Sequence, residues 1–167
     1  MMAAINKFDN HGNRFQPRFR RHEFQPPAFA FSPVPALAAG HGMTVRTVLY
    51  VEDDAVNAML MQGIVELRPG CQLHVARNGA EALQFVADRR VDLLLCDMRL
   101  PDAVGDTLLA ELRAAGLPAA VPALLVTAEA DFVAADLARR GGFDGHWSKP
   151  LDVAATLRSL HRWLGER

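Results

Sequence analysis

VDLLLCDMRLPDAVGD, residues 91–106, is the stretch whose reading decides the fold. Four apolar residues in a row, Leu93–Cys96, end at an acid, Asp97, and Pro101 and Gly105 punctuate the segment after it. An apolar run this short and this continuous reads as a strand buried on both faces, the pattern of a parallel sheet covered by helices on each side. Working outward, the pattern recurs at Thr47–Val51, Leu73–Ala76 and Ala123–Thr127, and more weakly at Gly145–Trp147. Between the runs, apolar residues fall three or four apart: Val56, Met59, Leu60, Ile64 and Leu67 in the first interval, and Val153, Leu157, Leu160 and Leu164 in the last. Ala82, Leu83 and Val86, then Leu108, Leu109 and Leu112, then Val133 and Leu137 fill the middle intervals. Asn78-Gly79-Ala80-Glu81 has the form of a capping box, and Gly116 and Gly141 are placed to close the third and fourth helices. Five strands alternating with five helices predict an α/β doubly wound parallel sheet over residues 44–167.

Residues 1–43 differ in kind. They hold six of the nine Phe and half of the ten Pro without helical or alternating periodicity. Lys7, Arg14, Arg18, Arg20 and Arg21 outweigh Asp9 and Glu23 there, so the tail is basic and the remainder acidic within a chain of net charge −1. Such a segment is expected to be disordered by itself, or to precede a genuine start at Met43. Arg20-Arg21 ahead of Ala28–Ala39 has some features of an export signal, but Pro33 and Pro35 interrupt its apolar part. No apolar run is long enough to span a bilayer. The near-balanced charge does not call for nucleic acid or a membrane surface. Cys71 and Cys96 lack metal-like spacing and read as reduced core thiols of a cytoplasmic protein.

In doubly wound sheets, ligands sit beyond the carboxyl ends of the strands, and there the polar residues gather. The first strand stops at Glu52-Asp53-Asp54, the third at Asp97, the fourth at Thr127, and the fifth leads into Ser148-Lys149-Pro150. Neighbouring first and third strands would bring Glu52, Asp53 and Asp97 into one small site. Three carboxylates that close require protons or a cation among them, and hard oxygen ligands with room for a phosphoryl group suit Mg²⁺. Of eighteen Lys and Arg residues, only Lys7 and Lys149 are lysine, so the ammonium at position 149 stands out in a chain that otherwise uses arginine.

In order and spacing, VLYVEDDAVN (48–57), VDLLLCDMRLPDAVGD (91–106), ALLVTA (123–128) and GGFDGHWSKPLD (141–152) resemble the receiver domain of two-component response regulators. Single-domain regulators and receivers of hybrid histidine kinases are most similar in flavour. The resemblance implies a flavodoxin-like (βα)5 fold with strand order 2-1-3-4-5, an order that receiver proteins themselves typify. It implies that Asp97 is the phosphoacceptor, that Glu52, Asp53, Asp97 and the carbonyl of Arg99 hold Mg²⁺, that Thr127 is the switch hydroxyl, and that Lys149 bridges the phosphoryl group. Ala128 leaves room for approach, and the peptide before Pro150 is expected to be cis. The implied partners are a histidine kinase or histidine phosphotransfer protein and a downstream protein target, with a homodimer through the fourth helix, fifth strand and fifth helix as a further option.

Three positions depart from the family pattern. His146 stands where the switch residue is usually Tyr or Phe, bringing a smaller, polar ring that is titratable near neutrality. Arg99 and Glu129, at positions that the resemblance implies flank the path of attacking water, carry opposite charges and are expected to pair and slow dephosphorylation. The leading expectation is a protein that is not an enzyme in the ordinary sense but promotes its own phosphorylation and dephosphorylation, and that carries no output domain within its 167 residues. The alternative is a phosphorylation-independent scaffold of the same fold. A haloacid-dehalogenase-type phosphatase would want a second Asp at position 99, where Arg99 stands. Direct nucleic-acid binding by the basic tail would show as steep salt dependence.

Overall fold

The computed structural model describes residues 45–165, so the expectations for the tail lie outside the described residues. Five parallel strands, β1 (Arg46–Val51), β2 (Cys71–Ala76), β3 (Leu93–Asp97), β4 (Ala123–Thr127) and β5 (Gly145–Ser148), form one sheet in the order β2-β1-β3-β4-β5. They alternate with α1 (Ala55–Glu66), α2 (Gly79–Asp88), α3 (Gly105–Ala114), α4 (Asp131–Gly141) and α5 (Val153–Leu164). The strand order and alternation are those expected of the flavodoxin-like fold.

Period-two alternation divides the core. Leu49, Val51, Leu94, Cys96 and Leu125 point to the side covered by α2, α3 and α4. Val48, Tyr50, Leu93, Leu95 and Val126 point to the side covered by α1 and α5. Both faces of the central strands are therefore dry, which is why their sequences run apolar without a break. The pairing Val51↔Cys96, Asp97↔Val126 and Thr127↔Ser148 brings the carboxyl ends of β1, β3, β4 and β5 level.

Three local readings change. Of the α1 residues that carry the three-four spacing, Val56 is 73% exposed and Met59 72%, with Leu60 and Leu67 also at the surface. Only Ile64 is buried, joined instead by Met61 and Val65. The helix is apolar over most of its circumference, so two stripes satisfy the same three-four spacing and periodicity cannot choose between them. Arg68 settles the choice structurally. It lies buried one turn beyond Met61–Val65 and donates to Cys71 Sγ and the Gly165 carbonyl, pinning that stripe inward. On α4 the inward residues are the small Ala134 and Ala138, with Leu137 only partly buried. The left-handed cap of α4 is Gly142 (φ 77°), one residue beyond Gly141. Gly116 (φ 118°) follows α3 as expected. Asn78 caps α2 by accepting from Glu81 N, while Glu81 reaches back to Arg77 N.

If Met61, Ile64 and Val65 form the inner stripe, Ile64→Ala should cost about 2–5 kcal/mol by cavity formation. Met59→Ala should cost under about 1 kcal/mol. Urea unfolding of the two variants distinguishes the faces; comparable losses would contradict the assignment.

Candidate functional site

Parallel pairing of β1 with β3 places the acids that follow β1 next to the acid that ends β3. Glu52, Asp53 and Asp97 each offer an oxygen within 4.8 Å of the others. Glu52 is 1% exposed, yet both its oxygens are occupied. Oε2 accepts from Tyr50 Oη at 2.5 Å and Lys149 Nζ at 2.6 Å, and Oε1 from Asn57 Nδ2 and Asp54 N at 3.3 Å each. The same ammonium donates to Asp97 Oδ2 at 2.6 Å, and Arg99 N donates to Asp97 Oδ1 at 3.2 Å. Lys149 thus bridges the two strands' carboxylates. It reaches them from the turn after β5, where Lys149 N donates to Thr127 O and the Lys149-Pro150 peptide is cis.

The electrostatics are uneven. Burial works against the charge on Glu52, but the donors Lys149, Tyr50 and Asn57 more than offset it and hold its carboxyl below the usual range. Burial pushes Asp97 up, and Lys149 and the Arg99 N–H offset this only in part, with the Glu52 charge adding to the rise. The Lys149 ammonium is held protonated against its own burial by Asp97 and Glu52. Burial and the Glu52 carboxylate push the Tyr50 phenol far up, so it stays a donor. Burial likewise raises the Cys96 thiol, an inert core residue.

Beside these groups lies a cavity of about 260 Å³ lined by Asp97, Arg99, Thr127, Ala128, Glu129 and Lys149. Thr127 is buried, and its hydroxyl oxygen accepts from Glu129 N at 3.2 Å. Arg99 Nη2 meets Glu129 Oε1 at 2.8 Å across the mouth of the cavity. His146 lies apart from this cluster. Its Nε2 meets Asp131 Oδ1 at 2.8 Å, with Ser148 Oγ at 3.5 Å from the same oxygen, tying β5 to the first turn of α4. That contact holds the Asp131 carboxyl below its ordinary range.

The β3–α3 loop is folded tightly around the acid. Gly105 N donates to Met98 O at 3.0 Å, and Arg99 and Val104 form an antiparallel bridge. A Cβ on Gly105 would lie 2.7 Å from the Asp97 carbonyl, so a side chain there displaces the backbone that carries the acid. Tyr50, Asn57, Gly105 and Asp131 do not stand out in the sequence as site residues. Tyr50 carries a usable signal, because it lies two residues before Glu52 on the same strand face. Nothing in the sequence pairs His146 with Asp131.

An acid pair, a third acid on the neighbouring strand, a bridging lysine and a threonine all meet at one edge of a 2-1-3-4-5 sheet. The family model described as response regulator receiver domain matches residues 48–161. The chain belongs to the response regulator receiver domain family. It is 31% identical over 121 residues to the polar-differentiation response regulator DivK of Brucella anthropi, covering 72% of this chain and 98% of that protein. The receiver domain of a sensor histidine kinase from Pseudomonas aeruginosa, whose structure has a magnesium ion coordinated in the active-site cleft, is 28% identical, with a TM-score of 0.64, over 72% of this chain and 98% of that one. The chemotaxis protein CheY4 of Vibrio cholerae shares the fold, with a TM-score of 0.65 at 23% identity over 72% of this chain and 99% of that one.

The residues fit a hard divalent cation. Asp53 is exposed and makes no side-chain hydrogen bond among the described residues, and Asp97 retains acceptor capacity facing the cavity. Glu52 is already committed to protein donors, so its contribution is charge more than open lone pairs. No helix among the described residues is long and apolar enough to cross a membrane.

Removing the bridge tests its role. Lys149→Met should cost about 3 kcal/mol at neutral pH by leaving Glu52 and Asp97 uncompensated. In the wild type, Glu52 has a lowered folded-state pKa, so its stabilisation is present above the ordinary carboxylate range and is lost as pH falls. In the variant the folded carboxyls are raised, so protonation favours folding and stability recovers with acid. The two melting profiles should converge between neutral pH and about pH 4; a constant gap would contradict the shared bridge.

Proposed function

We propose that Asp97 accepts a phosphoryl group from a phosphohistidine of a histidine kinase or histidine phosphotransfer protein in a Mg²⁺-dependent reaction. The change in charge then either alters a protein-docking surface or passes the phosphoryl group onward. The observation that carries this is the Lys149 ammonium shared between Glu52 and Asp97 at 2.6 Å, at the wall of a cavity that also holds Thr127. Support comes from membership of the receiver family, from the relative named as a response regulator, and from the magnesium-bearing receiver of the Pseudomonas kinase.

Asp53, Asp97 and the Arg99 carbonyl would hold Mg²⁺, with Glu52 behind them. Bound there, the ion would neutralise crowded carboxylates, counter the upward push on Asp97 so that it attacks as the anion, and screen the incoming phosphoryl oxygens. The other parts belong to the chain itself. An Asp97 oxygen displaces the donor imidazole in line at phosphorus. Lys149 follows the charge, exchanging a carboxylate contact for a phosphoryl oxygen. Thr127 uses its oxygen to accept from Glu129 N, which leaves its hydroxyl hydrogen for another phosphoryl oxygen. Drawing Thr127 inward pulls on the β4–α4 connection, and the His146–Asp131 contact lies on the route from there to the surface of α4 and β5. Exposed Val56, Met59 and Leu60 begin beside the acid pair and offer an apolar face to a protein donor. The protein turns over only its own phosphoryl group, and we place it in the cytoplasm, where such donors act.

Incubation with acetyl phosphate and Mg²⁺, followed by intact mass spectrometry, should add one HPO₃ that chelator and Asp97→Asn each abolish. A wild-type chain that never gains the adduct is a scaffold instead. Once phosphorylated, Arg99→Ala and Glu129→Ala should each shorten the acyl-phosphate lifetime by about two- to fivefold, the range open to an exposed ion pair. Unchanged decay in both would remove the pair from the mechanism.

A further inference from the structure

The amino ends of the strands carry a second, larger cavity of about 810 Å³. It lies at the opposite edge of the sheet from Asp97, because every strand is parallel. Four arginines line it: Arg46 from the start of β1, Arg89 and Arg90 after α2, and Arg162 from the last turn of α5. Among the described residues the one acid lining it is Asp92, whose side chain is 5% exposed. Asp92 Oδ1 accepts from Arg46 Nη1 at 2.9 Å and Arg90 Nη2 at 3.1 Å, while Oδ2 accepts from Thr47 N at 2.9 Å. One buried carboxylate therefore positions two guanidiniums and neutralises one charge. Arg46 Nε is buried without an acceptor. Arg89 and Arg162 make no side-chain hydrogen bond or ion pair among the described residues. The floor between them is apolar, built from Val91, Leu117, Val121 and Leu164.

We propose that this cavity binds a nucleoside phosphate, with its phosphates on the arginine rim and its base on the apolar floor. The size lies within the range of small-molecule pockets, about 300–1,000 Å³. Guanidiniums recognise phosphate through paired, charge-assisted hydrogen bonds, and the surplus of three positive charges among the described lining residues matches a triphosphate better than a single carboxylate. The mixture of apolar floor and basic rim favours a nucleotide over inorganic phosphate, which would leave the floor uncovered. The site shares no residue with the phosphoacceptor cavity, so its failure would leave the proposed phosphorylation of Asp97 standing.

The test is isothermal titration of the full chain with ATP, GTP, pyrophosphate and adenosine in chelator, which keeps the Mg²⁺-dependent site out of play. ATP or GTP should bind at one equivalent, weaken with salt, be displaced by pyrophosphate, and bind far better than adenosine. The double variant Arg89→Ala/Arg162→Ala alters two exposed side chains at helix ends. It should retain its melting temperature and lose about tenfold or more in affinity. Arg139→Ala/Arg140→Ala, on another surface, should bind as the wild type does. No binding by either nucleotide at millimolar concentration overturns the proposal. So does equal loss in both double variants, which would mark diffuse charge, or binding of a single-stranded oligonucleotide where the nucleotides fail.

Discussion

The Lys149 ammonium, held against the carboxylates of both Glu52 and Asp97, is the constraint on which the carboxyl edge of this protein depends. Parallel pairing of β1 with β3 leaves those acids no way to separate. A neutral side chain at position 149 would force one of them to take up a proton. An arginine would satisfy the charge but not the geometry, since its planar fork cannot present three donors around one point as an ammonium does. A chain that uses arginine almost everywhere else has kept lysine here. The bridge is also conditional, because an ammonium can transfer its donors to a new anion without moving its stem. A site held together in this way is stable at rest and able to receive a further anion.

The dry sheet beneath makes that edge stiff. Tyr50 fills the α1–α5 side of the core and still places its hydroxyl on Glu52, so one residue joins packing to electrostatics. Gly105 performs the corresponding task on the other side of Asp97, where the α3 connection crosses too close to the β3 backbone for any Cβ. Together they limit how far the acids can drift apart. At the β4–α4 connection Thr127 and Glu129 share a hydrogen bond, and Arg99 closes the mouth from outside.

Much of this is legible in the sequence because two separate patterns coincide. Strands buried on both faces cannot hide their apolar runs, and a site at strand ends must place its polar residues where those runs stop. Asp97 after Leu93–Cys96 satisfies both, which makes the fold and the acid cluster readable from the same letters. The failures have an equally physical origin. On α1 two apolar stripes compete, and the outcome depends on Arg68, a residue whose burial is invisible until its partners on Cys71 and Gly165 are known. On α4 the inward positions are alanines, which carry little weight in a search for large apolar side chains. The His146–Asp131 contact spans a helix and a strand, and no local spacing rule connects positions fifteen residues apart.

The two edges of the sheet are electrically opposite, and the helices account for part of this. Each helix starts at the carboxyl edge and ends at the amino edge, so its positive pole faces the acids and its negative pole faces the arginines. Asp54, Glu81, Asp131 and Asp152 lie at the starts of helices, while Arg113, Arg139, Arg140 and Arg162 lie in last turns. The dipole thus explains why Arg162 is comfortable where it is. It does not explain Arg46, which opens a strand, or why Asp92 is buried to hold Arg46 and Arg90 side by side. A carboxylate drawn into the protein to position two cations costs desolvation that a solvated surface would not require. Dipole-matched arginines would also be free to disperse over the surface, as Arg139 and Arg140 do when they turn to Asp136 on their own helix. Convergence of four guanidiniums on one apolar-floored cavity is a property of the cavity, and the helix ends alone do not produce it.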